Sequence, residues 1–492
     1  MLDALLLALS DIFLLKNFLP LVLGVCLGIF IGVLPGLGGV VGFSLLLPFV
    51  FNFEASAAIA MLIGLAAVVP TSDTFPSVLM GIPGSAGSQA TIMDGYPLAQ
   101  QGEGARALGA AFAASLVGGI VGAVVLMVAI PVARPLILMF GSPELLMLAV
   151  LGLAMVGLLS SGMPLKGIVA GIMGLMLGTV GAAPSDPEYR FTFDLLYLYD
   201  GLPLVVVALG LFAIPEIVDL LVRGQPIAAR PAESSRKGIV RGVREGFVHW
   251  RLILRCSGIG VIIGAIPGLG GSVVDWISYS QAKATIRNNR FGQGDIRGVI
   301  APESSNNAKE GGALLPTLLF GIPGSGSMAI LLGGLTLLGL QGGPSMVTTN
   351  LPITLTAIWS LVIANVLAVL ICIALAGPIS RLCFVPFPLL APGILMVVLF
   401  GAYQATRSWG DWVALAAFGV LGWLMKRYGW SRPALLVGFV LAPITERYFF
   451  ISMSRFGMEW IARPGVIFIA IIILLLLISS LFVQRGSAGR TT

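Results

Sequence analysis

The sequence predicts an all-α polytopic membrane protein of two homologous halves with broken or re-entrant helices. Three observations lead there. First, 57% of the 492 residues are hydrophobic, only 10% are charged and the mean hydropathy is +1.01, whereas a soluble domain carries about 25% charged residues. Second, apolar runs recur from end to end, as in Val466–Val483; at roughly 20 residues per crossing there is room for about ten to twelve spans. Third, two Gly/Pro signatures each occur twice, in the same order. Water cannot be the main solvent of such a fold. A soluble enzyme, a nucleic-acid binder and a secreted disulfide scaffold are excluded, and the lack of long alternating strands argues against an outer-membrane barrel.

In chain order, residues 1–17 read as a short interfacial segment without a basic leader or cleavage signal. Residues 18–222 form the first half. Residues 223–249 are a basic connection carrying Arg230, Arg236, Lys237, Arg241 and Arg244, which the positive-inside rule places in the cytoplasm. The basic turn at Lys426, Arg427 and Arg432 is expected on the same side. The stretch 186–200, with Asp186, Glu188, Asp194 and Asp200 against the single Arg190, fits the outer face. Residues 250–443 form the second half, and 444–492 a C-terminal span and tail. Cys26, Cys256, Cys372 and Cys383 lie scattered in or beside apolar stretches with no metal or redox spacing, as small buried hydrophobes do. The single histidine, His249, reads as a solvated loop residue, so a proton relay through histidine chains is excluded.

The internal repetition carries the most information. Gly32-Val33-Leu34-Pro35-Gly36-Leu37-Gly38-Gly39 recurs 232 residues on (32 to 264) as Gly264-Ala265-Ile266-Pro267-Gly268-Leu269-Gly270-Gly271. Pro76 and Gly81-Ile82-Pro83-Gly84-Ser85 recur 240 residues on (81 to 321) as Pro316 and Gly321-Ile322-Pro323-Gly324-Ser325. The 8 extra residues of the second copy are expected in the polar stretch 287–295. Paired Gly/Pro interruptions in two halves point to a transporter substrate site. Proline stops an apolar helix, glycine lets the chain turn, and a helix that restarts presents free N–H groups and the positive end of its dipole. Such an end, facing a cavity, clamps a carboxylate. The candidate substrate-binding residues are therefore Pro35, Gly36, Gly38, Gly39, Gly84, Ser85, Ser88, Pro267, Gly268, Gly270, Gly271, Gly324, Ser325 and Ser327. Asn306 and Asn307, in a polar run after Glu303, join them, with polar glue between helices as the alternative. Glu303 reads as a helix cap or cation ligand, Asp94 as a structural turn at the cavity mouth, and Glu446 as an interfacial residue. The repeats read as inverted, with a parallel arrangement as the alternative, because 32–51 and 314–341 each fit either a span or a re-entrant hairpin.

At these residues the sequence resembles the TctA family, the large membrane subunit of tripartite tricarboxylate transporters. The resemblance covers essentially the whole chain. It includes both duplicated signatures, Asp94-Gly95-Tyr96-Pro97-Leu98-Ala99, Arg106-Ala107-Leu108-Gly109, Arg190-Phe191-Thr192-Phe193, Ala301-Pro302-Glu303-Ser304-Ser305-Asn306-Asn307-Ala308 and Leu441-Ala442-Pro443-Ile444-Thr445-Glu446. It implies a secondary active carrier in the bacterial inner membrane. Such a carrier takes a tricarboxylate or related organic acid from a periplasmic solute-binding protein (TctC-like) and works with a small membrane subunit (TctB-like). An Na⁺ or H⁺ gradient drives it by alternating access, with no cofactor besides that ion. The absence of a Gly-x4-Gly-Lys-Ser/Thr loop agrees with an ATP-independent process.

Two stretches depart from the family pattern. Thr71-Ser72-Asp73-Thr74 stands where Tyr-Gly-Gly-Ser is usual, and Ala308-Lys309-Glu310 where small residues are usual. An ionisable group inside a membrane points to function. Ser72, Asp73, Thr74, Glu303 and Lys309 are the ion-coupling candidates. In one reading Asp73 binds or replaces the coupling cation and Lys309 faces the substrate. In the other, Asp73 pairs with Lys309, or Lys309 with Glu310, to hold the halves together. A channel would need a continuous polar lining rather than two duplicated polar points. An intramembrane hydrolase built on Gly84-Ser85-Ala86-Gly87 finds no convincing base, so no enzymatic activity is expected.

Overall fold

In hydrocarbon, every backbone N–H and C=O must find a partner within its own segment, and that requirement favours helices throughout. The computed structural model describes residues 2–159, 164–183, 188–223, 236–269, 271–383 and 385–488, and is 81% helical. Among the described residues the strand content is one antiparallel pairing of Gly181–Ala182 with Tyr189–Arg190. Asp186, Arg230 and Gly270 lie outside the described residues.

Among the described residues, seven helices are long and apolar enough to cross a membrane: Leu15–Val33, Ala55–Met80, Gly104–Met139, Leu204–Val222, Leu351–Ala374, Phe387–Thr406 and Arg432–Ala462. An eighth is obtained if Arg236–Val248 and Trp250–Gly264, bent by 75°, are one span. That is fewer than the ten to twelve expected. The interruptions account for much of the difference, since they leave apolar helices too short to cross alone. Gly38–Val50 has 13 residues and Gly326–Leu337 has 12.

Each signature marks a break. The Leu15–Val33 helix stops before Pro35, and the chain restarts as Gly38–Val50. Arg297–Phe320 ends at Gly321, whose left-handed φ of 69° closes the helix, and restarts as Gly326–Leu337. Thr74–Met80 ends in the same way at Gly81, with φ 68°. Leu2–Ile12 is a separate short helix against Leu351–Ala374, where Trp359 donates its indole N–H to the Leu5 carbonyl at 2.9 Å.

At the centre lies Arg297–Phe320, buried along nearly its whole length although it carries Glu303, Ser304, Ser305, Asn306 and Asn307. It packs between Gly104–Met139 and Trp250–Gly264, and also against Ala55–Ser72. A polar helix in this position works only if neighbouring helices satisfy its side chains. The polar stretch 287–295 lies in the loop joining Gly271–Thr285 to Arg297–Phe320. Lys426 contacts Glu216 and Asp219 at 2.7 and 2.5 Å, on the helix that ends at Arg223. The second basic turn therefore packs against the helix that leads into the basic connection.

Candidate functional site

The breaks meet around one cavity of about 640 Å³. Gly36 and Gly268 turn the chain with φ 85° and 88°, a conformation that favours glycine. The Gly36 N–H donates to the Gly84 carbonyl at 3.3 Å, and the Gly268 N–H to the Gly324 carbonyl at 3.0 Å. In both places one break is stitched to the other by the same bond. Behind each stitch a hydroxyl seven residues earlier accepts the amide of the same glycine: Ser77 Oγ from Gly84 N–H at 3.5 Å, and Thr317 Oγ1 from Gly324 N–H at 3.4 Å. Ser85 and Ser325 are extended and cap the turns that follow. Ser85 Oγ accepts from Gly87 N–H at 3.1 Å, and Ser325 Oγ from Met328 N–H at 3.3 Å. The signatures also meet across the halves, for a Cβ built on Gly39 would lie 3.3 Å from Ser327 Oγ.

Gly36, Gly38, Gly39, Ser85, Gly268, Gly324, Ser325, Ser327 and Lys309 line the cavity. Pro35, Gly84, Ser88 and Pro267 stand behind that lining and shape the turns. Ser88 is buried and completes the cap, its Oγ accepting from Ser85 N–H at 3.2 Å. Gly271 begins the Gly271–Thr285 helix.

The remaining candidates sit in a buried polar layer beside the cavity. Glu303 accepts from Thr74 Oγ1 at 2.6 Å, Thr91 Oγ1 at 2.6 Å and Ser115 Oγ at 3.3 Å. It stands in the interior of its helix, so it is not a cap. Asp73 accepts from the Ser85 hydroxyl, and its Oδ1 has no hydrogen-bond partner among the described residues. Ser72 donates to the Gly28 carbonyl at 3.0 Å and ties two helices together.

Asn307 Nδ2 donates to Thr71 Oγ1 at 2.7 Å and to Asn365 Oδ1 at 2.9 Å. Asn306 Oδ1 accepts from Lys309 Nζ at 2.6 Å. Both asparagines join helices and neither lines the cavity. Lys309 pairs with Glu310 at 2.9 Å, the second of the pairings the sequence allowed, and both line the cavity. Asp73, Asp275 and Glu303 are buried and make no ion pair among the described residues. Among those residues no group of three His, Cys, Asp or Glu side chains converges to hold a metal ion.

Asp94 is not at a turn. It lies buried in the first turn of the Ile92–Gln100 helix, and its Oδ1 accepts from the backbone N–H groups of Gly292, Gly294 and Asp295 at 2.8, 2.9 and 2.8 Å. Its Oδ2 accepts from the Tyr279 hydroxyl at 2.8 Å. The acid of the first half thus holds the loop of the second. Glu446 pairs with Arg190 at 2.9 Å.

Sequence reasoning missed Glu216, Asp275 and the use of Arg432. Glu216, Lys426 and Arg432 line the cavity, and Asp275 Oδ2 accepts from Ala90 N–H at 2.9 Å. An acid inside an apolar run was the available signal for Glu216 and Asp275.

The profile of the Tripartite tricarboxylate transporter TctA family matches residues 18–437. An uncharacterized 52.8 kDa protein in the TAR-I ttuC′ 3′ region of Agrobacterium vitis is 32% identical over 433 residues, covering 86% of this chain and 84% of that protein. An uncharacterized protein in the TAR-II ttuC′ 3′ region of the same organism is 34% identical over 190 residues, covering 38% and 78%. No solved structure matches.

Proposed function

We propose that this chain, which belongs to the Tripartite tricarboxylate transporter TctA family, binds its carboxylate substrate in the cavity where the breaks converge. Membership makes it a tricarboxylate transporter subunit, and its seven candidate spans make it a multi-pass membrane protein. Beyond that, we read it as the translocating subunit of an inner-membrane importer. A periplasmic binding protein delivers the acid, a small membrane subunit assists, and an Na⁺ or H⁺ gradient drives alternating access. The two halves are read as an inverted repeat.

One observation carries the reading. Glycine turns and serine caps from both breaks of both halves border the same hollow, and 640 Å³ is of the size that small ligands occupy. Helix starts supply N–H donors and a positive field where a carboxylate needs both. Lys309 adds a cation at the wall.

Asp73 is our candidate for ion coupling. Its buried carboxylate reaches the cavity-lining Ser85, so a change in its charge is felt at the cap that faces the substrate. The test is binding-protein-dependent uptake of a radiolabelled tricarboxylate by membrane-inserted Ser325→Ala, Gly324→Leu and Asn307→Ala variants. The first two are expected to lose at least about tenfold, and Asn307→Ala to lose uptake through weakened helix contacts. Wild-type rates in the first two refute the site. An Asp73→Asn variant with unchanged dependence on Na⁺ and pH removes Asp73 from coupling.

A further inference from the structure

The wall of the cavity toward the basic connection is built differently from the breaks. Glu216, Lys426 and Arg432 face the cavity there, and the Glu216 carboxylate bridges the two cations. Its Oε1 accepts from Arg432 Nη2 at 3.1 Å and its Oε2 from Lys426 Nζ at 2.7 Å. Arg432 is held in place independently of that bridge. Its Nη1 donates to the Leu211 carbonyl at 3.2 Å, and its guanidinium lies 5.3 Å from the Phe212 ring. Leu211 and Phe212 belong to a π-helical turn, Leu209–Ala213, and such turns leave backbone groups outside the regular ladder. Lys426 has a second anchor in Asp219 at 2.5 Å. Removing Glu216 from the bridge would therefore leave both cations positioned, one by a carbonyl and a ring, the other by an acid.

We propose that Arg432 and Lys426 form a second carboxylate subsite of the cavity, which Glu216 occupies as an internal stand-in until a substrate carboxylate exchanges with it. A carboxylate between a guanidinium and an ammonium makes charge-assisted hydrogen bonds, which are roughly twice as strong as neutral ones, and here that arrangement is already formed. The five ionisable side chains on the cavity wall are Lys309, Lys426 and Arg432 against Glu216 and Glu310, an excess of one cation. A monocarboxylate held at the serine caps has nothing to offer the far wall. A ligand with a second acid group can reach it and release Glu216. Gly326 links the two regions, since a Cβ built there would lie 3.4 Å from Pro433 Cβ, next in sequence to Arg432. The inference rests on the cavity being the substrate site and adds which residues select for more than one carboxylate.

The experiment uses the purified full chain and equilibrium binding of citrate, glutarate and butyrate, with melting temperature recorded for every variant. Glu216→Gln removes the internal competitor while keeping both cations. It is expected to tighten citrate and glutarate by about tenfold and leave butyrate unchanged. Arg432→Gln and Lys426→Gln are expected to weaken citrate and glutarate by about tenfold each, again sparing butyrate, with Arg432→Lys recovering part of the loss. If Glu216→Gln lowers the melting temperature and leaves all three affinities as in wild type, the triad is only a structural ion pair and the subsite is overturned. If wild type binds none of the three probes, the cavity reading itself falls, and the subsite with it. If wild type binds all three and no variant changes their ranking, only the subsite falls.

Discussion

Asp94 offers the sharpest test of how the two halves are held together. Its fully buried carboxylate accepts three backbone N–H groups from the 292–295 loop and the Tyr279 hydroxyl. Asp94→Asn can keep the three amides on its carbonyl oxygen and turn its NH₂ to the tyrosine oxygen, so the geometry survives and the charge is lost. A hydrogen bond to a charged group contributes about 1.5–3 kcal/mol and a neutral one about 0.5–1.5. The loss is about 1 kcal/mol per bond, hence about 3 kcal/mol for the three amides.

At about 1.4 kcal/mol per factor of ten, that is on the order of 100-fold in the equilibrium for releasing the loop. Asp295 does not compensate. Burial pushes its carboxyl up, but the Arg297 side chain and the N–H groups of Arg290 and Arg297 outweigh this and hold it below its usual value. That pair lies within the second half and does not bind the loop to Asp94.

Arg287 and Arg290 are exposed in the same loop, so trypsin reads its release directly. When opening is fast relative to cleavage, nicking follows the open population. Asp94→Asn should then be cut at these arginines about 100-fold faster than wild type, and Asp94→Ala faster still. Equal cleavage rates for wild type and Asp94→Asn, with fragments mapped by mass, would show that the three amide bonds do not hold the loop and would refute the reasoning.

Two further substitutions test the local physics by melting temperature. A Cβ at Gly84 would lie 2.7 Å from Asp73 Cα and Cβ, whereas at Gly324 the nearest atoms are the Ala313 Cβ and the Gly264 carbonyl oxygen, both at 3.3 Å. Gly84→Ala should cost about 1–3 kcal/mol by overpacking and Gly324→Ala less than about 1; the reverse order contradicts the geometry. Glu303→Ala leaves three hydroxyls without their acceptor, a loss of about 3–5 kcal/mol after they turn back to their own helix carbonyls. Glu303→Gln, which keeps an acceptor, should lose about 1–2 kcal/mol; equal melting of the two variants would show that the hydroxyl cluster does not depend on an acceptor there.

Much of the cavity was legible because its lining is backbone. Pro35, Gly36, Gly84 and Ser85, with their counterparts at Pro267, Gly268, Gly324 and Ser325, are residue types with a narrow set of backbone roles. A duplicated string of them announces a broken helix wherever it occurs. Side-chain partnerships across the fold carry no such local mark. Glu303 is satisfied by Thr74, Thr91 and Ser115, which lie on three different segments more than 180 positions away, and no periodicity brings them together. Asp94 was misplaced because Asp-Gly-Tyr-Pro is a turn signature by composition. Its tertiary role, receiving three amides from a distant loop, won over that preference and let the helix run through. Hydropathy registers apolar length and not where a glycine turn divides it, so the described helices that reach crossing length number seven or eight where ten to twelve were expected.

The division of labour between backbone and side chains follows from the same cause. A break in a buried helix frees N–H groups that must find an acceptor; those of Gly36, Gly84, Gly268 and Gly324 find one within the protein, and the helix starts that follow border the cavity. The polar side chains nearby are already engaged. Asn307 joins Thr71 to Asn365, Asn306 receives Lys309, and Glu303 takes three hydroxyls. Spending an asparagine amide on the substrate would unfasten a helix contact, so the buried amides and hydroxyls are poorly placed to select a ligand. Backbone amides bind any carboxylate alike. On the proposed reading, selection among acids would fall to the charged side chains on the wall, where Lys309 pairs with Glu310 and Arg432 with Glu216.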